Sequence, residues 1–169
     1  YHFPSASDPD FFPLTVLDSL LSGASNLNRF GGGISNKTSR LYRALVETEL
    51  TVGMGGGAQA TVDPYLYSVV MLIHPERTPE EALAALDTEI LHVQEEKVSA
   101  EEVARAVKQA KALFAYGSES VTNQAFWMGY AEIFADYDWF LTYLDKLAAV
   151  TPDDVQRVAK KYFQKKARV

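Results

Sequence analysis

Cysteine is absent from the 169 residues, which excludes a disulfide framework and any thiolate metal site. Histidine is nearly absent, with only His2, His74 and His92. A hydrolytic zinc centre needs imidazoles and a carboxylate converging on the metal, commonly from a helix with two histidines on one face. The nearest approach is His92-Val93-Gln94-Glu95-Glu96, which opens like the inverted zinc motif H-x-x-E-H but has Glu96 where the second histidine should stand. One imidazole is not a metal site, so neither a metal ligand nor a catalytic residue is expected in this chain. His92 reads as a solvated residue on a helix, and His74 as a strand-terminal residue before Pro75. No serine sits in a G-x-S-x-G elbow, which argues against a serine hydrolase.

A basic excess is also missing. Sixteen Lys and Arg stand against 22 Asp and Glu, a net charge of −6, which speaks against a nucleic-acid partner. The short cationic tail of Lys160, Lys161, Lys165, Lys166 and Arg168 suits the end of a helix, where cations complement the dipole. Apolar runs such as residues 65–73 fall short of the roughly 20 residues that a membrane span needs, so no membrane partner is expected. No targeting segment is visible and no compartment is assigned. The chain opens on Tyr1-His2-Phe3-Pro4 without an initiator Met, which reads as a piece of a longer polypeptide.

What is present is 47% hydrophobic residues, enough for one core and hence one domain over residues 1–169. Asp8-Pro9 predicts a helix start, followed by Phe12, Val16, Leu17, Leu20 and Leu21 at helical spacing up to Gly23. After a loop containing Gly31-Gly32-Gly33, a second helical pattern runs through Leu41, Tyr42, Leu45 and Val46. The period then changes. Residues 51–62 and 65–74, separated by Asp63-Pro64, predict an antiparallel hairpin. Beyond Pro75 the chain is helical, with starts marked by Thr78-Pro79-Glu80-Glu81, Ser99-Ala100-Glu101-Glu102 and Thr151-Pro152-Asp153-Asp154. Each places a hydroxyl at the N-cap and a carboxylate three residues on, the pattern of a capping box. This order predicts an α+β fold, an antiparallel or mixed sheet with several helices packed on one face.

Gly31-Gly32-Gly33 and Gly55-Gly56-Gly57 lack the spacing of a phosphate-binding loop. Glycines inside a strand instead mark a bulge or a close backbone approach. Gly53, Gly55, Gly56 and Gly57 are therefore candidates for a surface that another backbone can approach. Arg40, beside the Gly-rich loop, is a candidate for anion or carboxylate binding, against the plainer role of tying that loop to neighbouring groups. Phe126, Trp127, Tyr130, Phe134, Tyr137, Trp139, Phe140 and Tyr143 read mainly as packing between helices and secondarily as a ligand box. From these patterns alone the function stops at an α+β domain without a recognisable active site.

As strings, Tyr1-His2-Phe3-Pro4, Ser7-Asp8-Pro9-Asp10, Leu20-Leu21-Ser22-Gly23 and residues 39–47, beginning Ser39-Arg40-Leu41-Tyr42, resemble the second domain of a half-molecule of M16-type (insulinase/pitrilysin-like) zinc metallopeptidases. The resemblance runs on through residues 98–106, Glu119-Ser120-Val121-Thr122-Asn123-Gln124-Ala125 and Val150-Thr151-Pro152-Asp153-Asp154-Val155, and so covers essentially the whole chain. It implies two bowl-shaped halves enclosing a peptide chamber, with zinc held in the parent by an H-x-x-E-H helix and a later Glu of a domain not included here. The implied partners are that zinc-bearing domain of the same polypeptide, the opposing half-molecule and the peptide substrate. The closing half of the family carries an Arg and, seven residues later, a Tyr that grip substrate. Here Val46 stands at the first position and Val52 or Gly53 at the second, which favours the second domain of the zinc-bearing half. The resemblance thus implies a non-catalytic wall domain that helps enclose and position a peptide, Gly53, Gly55, Gly56, Gly57 and Arg40 being the candidate substrate-facing residues. The alternative is an inactive scaffold subunit of the same fold, like the core proteins of respiratory complexes. It also implies a strand before Tyr1 and another after Val169.

The chain is expected to retain no stoichiometric zinc after dialysis and to cleave no peptide. Metal analysis checks this, and zinc retained at a site that disappears in His92→Ala would contradict it.

Overall fold

The computed structural model describes residues 1–23 and 37–168. The Gly31-Gly32-Gly33 loop lies outside the described residues. A short strand β1 (His2–Phe3) leads to helix α1 (Phe11–Leu21), and a single π-helical turn covers Tyr42–Val46. Strands β2 (Thr51–Gly57), β3 (Tyr65–Leu66) and β4 (Ser68–Ile73) follow. Five α-helices follow, α2 (Pro79–Glu95), α3 (Ala100–Gly117), α4 (Val121–Phe134), α5 (Tyr137–Ala148) and α6 (Pro152–Tyr162), and a 3-10 turn over Lys165–Ala167 comes after them.

The α+β class holds, but the strands divide between two antiparallel pairs, β1 with β3 and β2 with β4. The hairpin is therefore shorter than its sequence pattern, pairing Met54 with Met71, Gly55 with Val70 and Gly57 with Ser68. Tyr65 and Leu66 leave it to pair with Phe3 and His2. The cause is local. The backbone N–H of Tyr67 donates to the Tyr1 carbonyl (2.8 Å) and the Tyr1 amino group to the Tyr67 carbonyl (3.0 Å), so the chain is captured by the N-terminal segment before it enters β4. Along β4 the alternation is regular, Val69, Met71 and Ile73 packing on the core while Val70 and Leu72 face out.

All three capping boxes form. Thr78, Ser99 and Thr151 accept from the backbone N–H of Glu81, Glu102 and Asp154, and each carboxylate returns a bond to its N-cap backbone. The start of α1 differs from expectation. Asp8 is not the cap; its carboxylate accepts from the Asp10 N–H (2.7 Å), and the helix begins at Phe11. Gly23, with φ 94°, follows the C-cap Ser22 in the left-handed conformation that glycine adopts without strain.

Every residue of α1 except Thr15 is buried, because α3, α5, α6 and β2 all pack around it. The Asp10 side chain, at its N-terminus, accepts from Arg157 (2.5 Å), Lys161 (2.7 Å) and the Tyr162 hydroxyl (3.1 Å). Lys165 and Arg168 pair with Asp87 on α2 at 3.0 and 2.7 Å. These cations of the C-terminal tail are thus tied to carboxylates of α1 and α2. Aromatic rings fill the remaining core, Trp139 meeting Phe11, Phe12, Phe134 and Tyr143 at 4.8–5.9 Å between centroids, which bears out the packing role for most of the aromatic series.

Burial alone would raise the Asp10 carboxyl, but the bonds from Lys161, Arg157 and Tyr162 outweigh it and hold it below the ordinary aspartate value. A depressed native value contributes stability above the unfolded value of about 3.9, and that stability is lost as the pH falls through the native value. Asp10→Asn should therefore cost about 1–3 kcal/mol at neutral pH, with the deficit shrinking from about pH 4 downwards. Urea denaturation of both proteins from pH 7 to pH 3 checks this.

Candidate functional site

Of the candidate residues, Gly53, Gly55, Gly56 and Gly57 all lie on β2, whose ladder is made with β4 alone among the described strands. Every second backbone N–H and C=O of β2 therefore points away from β4. The four glycines are not equivalent. A methyl group at Gly55 would meet nothing within 4 Å, and one at Gly53 would sit 3.8 Å from Leu72 Cδ1. At Gly56 it would lie 2.1 Å from Ser22 Oγ and 2.9 Å from Ser22 Cβ. Gly55 is an open backbone surface, whereas Gly56 exists to let the end of α1 approach the strand.

The group pressing on Gly56 is a buried hydrogen-bonded chain that the sequence reading missed. The Tyr67 hydroxyl donates to Asp18 Oδ1 (2.8 Å) and lies 2.6 Å from Ser22 Oγ. Burial, followed by the Asp18 charge, pushes the Tyr67 hydroxyl well above the usual tyrosine range, so it stays a proton donor. Asp18 in the middle of an apolar helical stripe was the available signal, since a carboxylate in that position must have partners.

Arg40 is placed elsewhere. Its Nη2 donates to Glu102 Oε1 at 2.8 Å, and Glu102 is also the capping carboxylate of α3. Burial would raise the Glu102 carboxyl, but bonds from Ser99 and Arg40 bring it below the ordinary glutamate value. Arg40 thus joins the turn before β2 to the start of α3, and it is not brought together with the β2 glycines.

The histidines do not converge. His2 is on β1, His74 Nδ1 accepts from the Glu76 N–H (3.3 Å), and His92 Nδ1 lies 3.3 Å from Glu89 one turn away on α2. Among the described residues no group of three or more His, Cys, Asp or Glu is arranged to hold a metal ion. The donor set therefore does not fit zinc.

Residues 1–110 match the family model described as the peptidase M16 inactive domain. No curated protein matches the chain. Among solved structures, the chain is similar over its full length to 87% of a candidate zinc protease from Bordetella pertussis Tohama I, with 26% identity and a TM-score of 0.81. It is similar, again over its full length, to 84% of the inactive peptidase domain of a candidate zinc protease from Bordetella parapertussis (24% identity, TM-score 0.83). A protease from Helicobacter pylori shares the fold (19% identity, TM-score 0.82) over 97% of this chain, which spans only 37% of that protein.

Gly56→Ala is expected to lower stability by about 2 kcal/mol or more, because overpacking forces Ser22 and the strand apart. Gly55→Ala should change it by no more than about 0.5 kcal/mol. Urea melts of the two variants provide the comparison.

Proposed function

The chain belongs to the peptidase M16 inactive-domain family, and from that premise we propose that it is a non-catalytic wall domain of a peptidase chamber, enclosing an extended peptide and holding it by backbone pairing. The observation that carries this reading is the side of β2 turned away from β4, with Gly55 open to solvent. A peptide added there as a further antiparallel or parallel strand would satisfy its own N–H and C=O groups against those of β2. Pairing of this kind needs few particular side chains, which accords with a wall that accepts varied sequences. Val52, Val70 and Leu72, 59–63% exposed on the outer face of the same hairpin, would add apolar contact to alternate side chains of the bound strand.

The partners in this proposal are a zinc-bearing domain of the same polypeptide and an opposing half-molecule. Zinc chemistry belongs to that other domain, and the role of this chain is to bind, orient and confine. An H-x-x-E-H helix in the gene upstream of Tyr1 would support a peptidase, and a degenerate helix there a scaffold subunit.

Hydrogen exchange tests the pairing directly. An unstructured peptide of about a strand's length, 5 to 6 residues, should slow exchange of β2 amides. Methylating its alternate backbone nitrogens should weaken binding about tenfold or more, since each lost bond costs about 1 kcal/mol. Protection confined to other elements, or indifference to N-methylation, would refute the pairing.

A further inference from the structure

Beneath the end of the β2–β4 hairpin lies a cavity of about 400 Å3, walled by α1 and α4 and bordered by residues 56–60. Its size falls within the range of small-molecule sites. The sequence leaves this space open. Gly56, Gly57 and Ala58 bring little or no side chain to the border, so the room beside Phe126, Trp127 and Tyr130 of α4 stays unfilled. The Trp127 and Tyr130 rings meet edge to face (74°, 5.8 Å), and Phe126 stacks on Tyr130 (14°, 5.6 Å), forming an aromatic corner. Phe126 remains 48% exposed, which leaves this corner accessible, and Phe3 and Phe11 add further ring surface to the lining. Asp18 also lines the cavity, but it is buried and its carboxylate is committed within the fold, accepting from the Tyr67 hydroxyl.

We propose that this cavity receives one neutral aromatic side chain, that of a Phe, Tyr or Trp, from a peptide held along β2. The inference rests on the wall reading and adds to it a single position of sequence preference. Along the hairpin Met54, Val69 and Met71 pack on the core side, while Val70 and Leu72 face out. A strand paired with the side of β2 turned away from β4 would alternate in the same way. A side chain that it turns inward at the level of residues 56–58 arrives at the cavity. An aromatic ring there makes the stacked and edge-to-face contacts that ring pairs favour. An aliphatic side chain gains only its removal from water, and a charged one exchanges its hydration for ring surface. The preference is therefore aromatic over aliphatic over charged, at one point of a chain otherwise held through its backbone.

Acetylated, amidated threonine peptides of about six residues with one central guest residue test the side chain, and toluene tests the cavity without any backbone pairing. Calorimetry, with Trp127 fluorescence as a local reporter, should show the Phe guest binding about tenfold or more tighter than the Ala guest. The Leu guest should fall between them, and the Glu guest should bind no tighter than Ala. Toluene should occupy one saturable site and be displaced by the Phe peptide but not by the Ala peptide. Thr15, the one residue of α1 that is not buried, lines the cavity, and Thr15→Phe fills it. In that variant toluene binding should be lost and the Phe and Ala guests should bind alike, with a melting temperature equal to or above that of the parent. Phe126→Ala, at the mouth, should weaken the Phe guest about threefold or more and leave the Ala guest unchanged. Equal affinity for the Phe and Ala guests, or a preference that survives both variants, overturns the proposal even where β2 amides are protected. Absence of saturable toluene binding overturns it whatever the peptides do. Toluene binding without binding of any peptide refutes the wall reading and the peptide source together. A Phe preference that persists on N-methylated peptides removes the strand pairing alone.

Discussion

The enclosure of α1 is the constraint on which the rest of the molecule depends. A helix buried on every side gains about 1.5–3 kcal/mol for each large aliphatic residue removed from water, and Leu14, Val16, Leu17 and Leu21 are all nearly inaccessible. The gain requires neighbours in every direction, which α3, α5, α6 and the hairpin provide. It also creates a liability, since Asp10 and Asp18 are carried into the interior with the helix. Buried carboxylates demand partners, and the partners found fix where the surrounding elements sit. Asp10 holds α6 through Arg157, Lys161 and Tyr162. Asp18 holds the start of β4 through Tyr67.

The second of these tethers shapes both sides of the hairpin. Tyr67 brings Ser22 against the strand, and only a residue without a side chain fits opposite, which accounts for Gly56. The same tether draws residues 65–67 toward the N-terminal segment and shortens the hairpin. What remains is a short ladder with an open backbone at Gly55 on one side and an aromatic cavity with Asp18 in its wall on the other.

The proposed wall role rests on geometry. Its histidines are scattered over β1, the end of β4 and α2, and its best-placed ionisable groups are committed to joining elements. Arg40 and Glu102 show the economy of this arrangement, one carboxylate serving at once as helix cap and as the partner of an arginine across the domain. Rigid framing around an open strand suits a wall against which an extended chain is held.

The sequence by itself determined the α+β class, the three capped helix starts and the core stripe of α1, because each of these is written in residue type and local spacing. Capping boxes at Thr78, Ser99 and Thr151 need only residues three apart. The family was legible in the same way, through strings spread along the whole chain. Tertiary structure alone decided that Asp10 serves α6 instead of its own helix, that Gly56 answers to Ser22 while Gly55 answers to nothing, and that Phe126, Trp127 and Tyr130 meet a carboxylate from α1 across a cavity. Those outcomes join residues separated by 34 to more than 100 positions. At such separations sequence spacing carries no geometric information, and the choice of partner falls to the desolvation cost of whichever polar group the packing of α1 has buried.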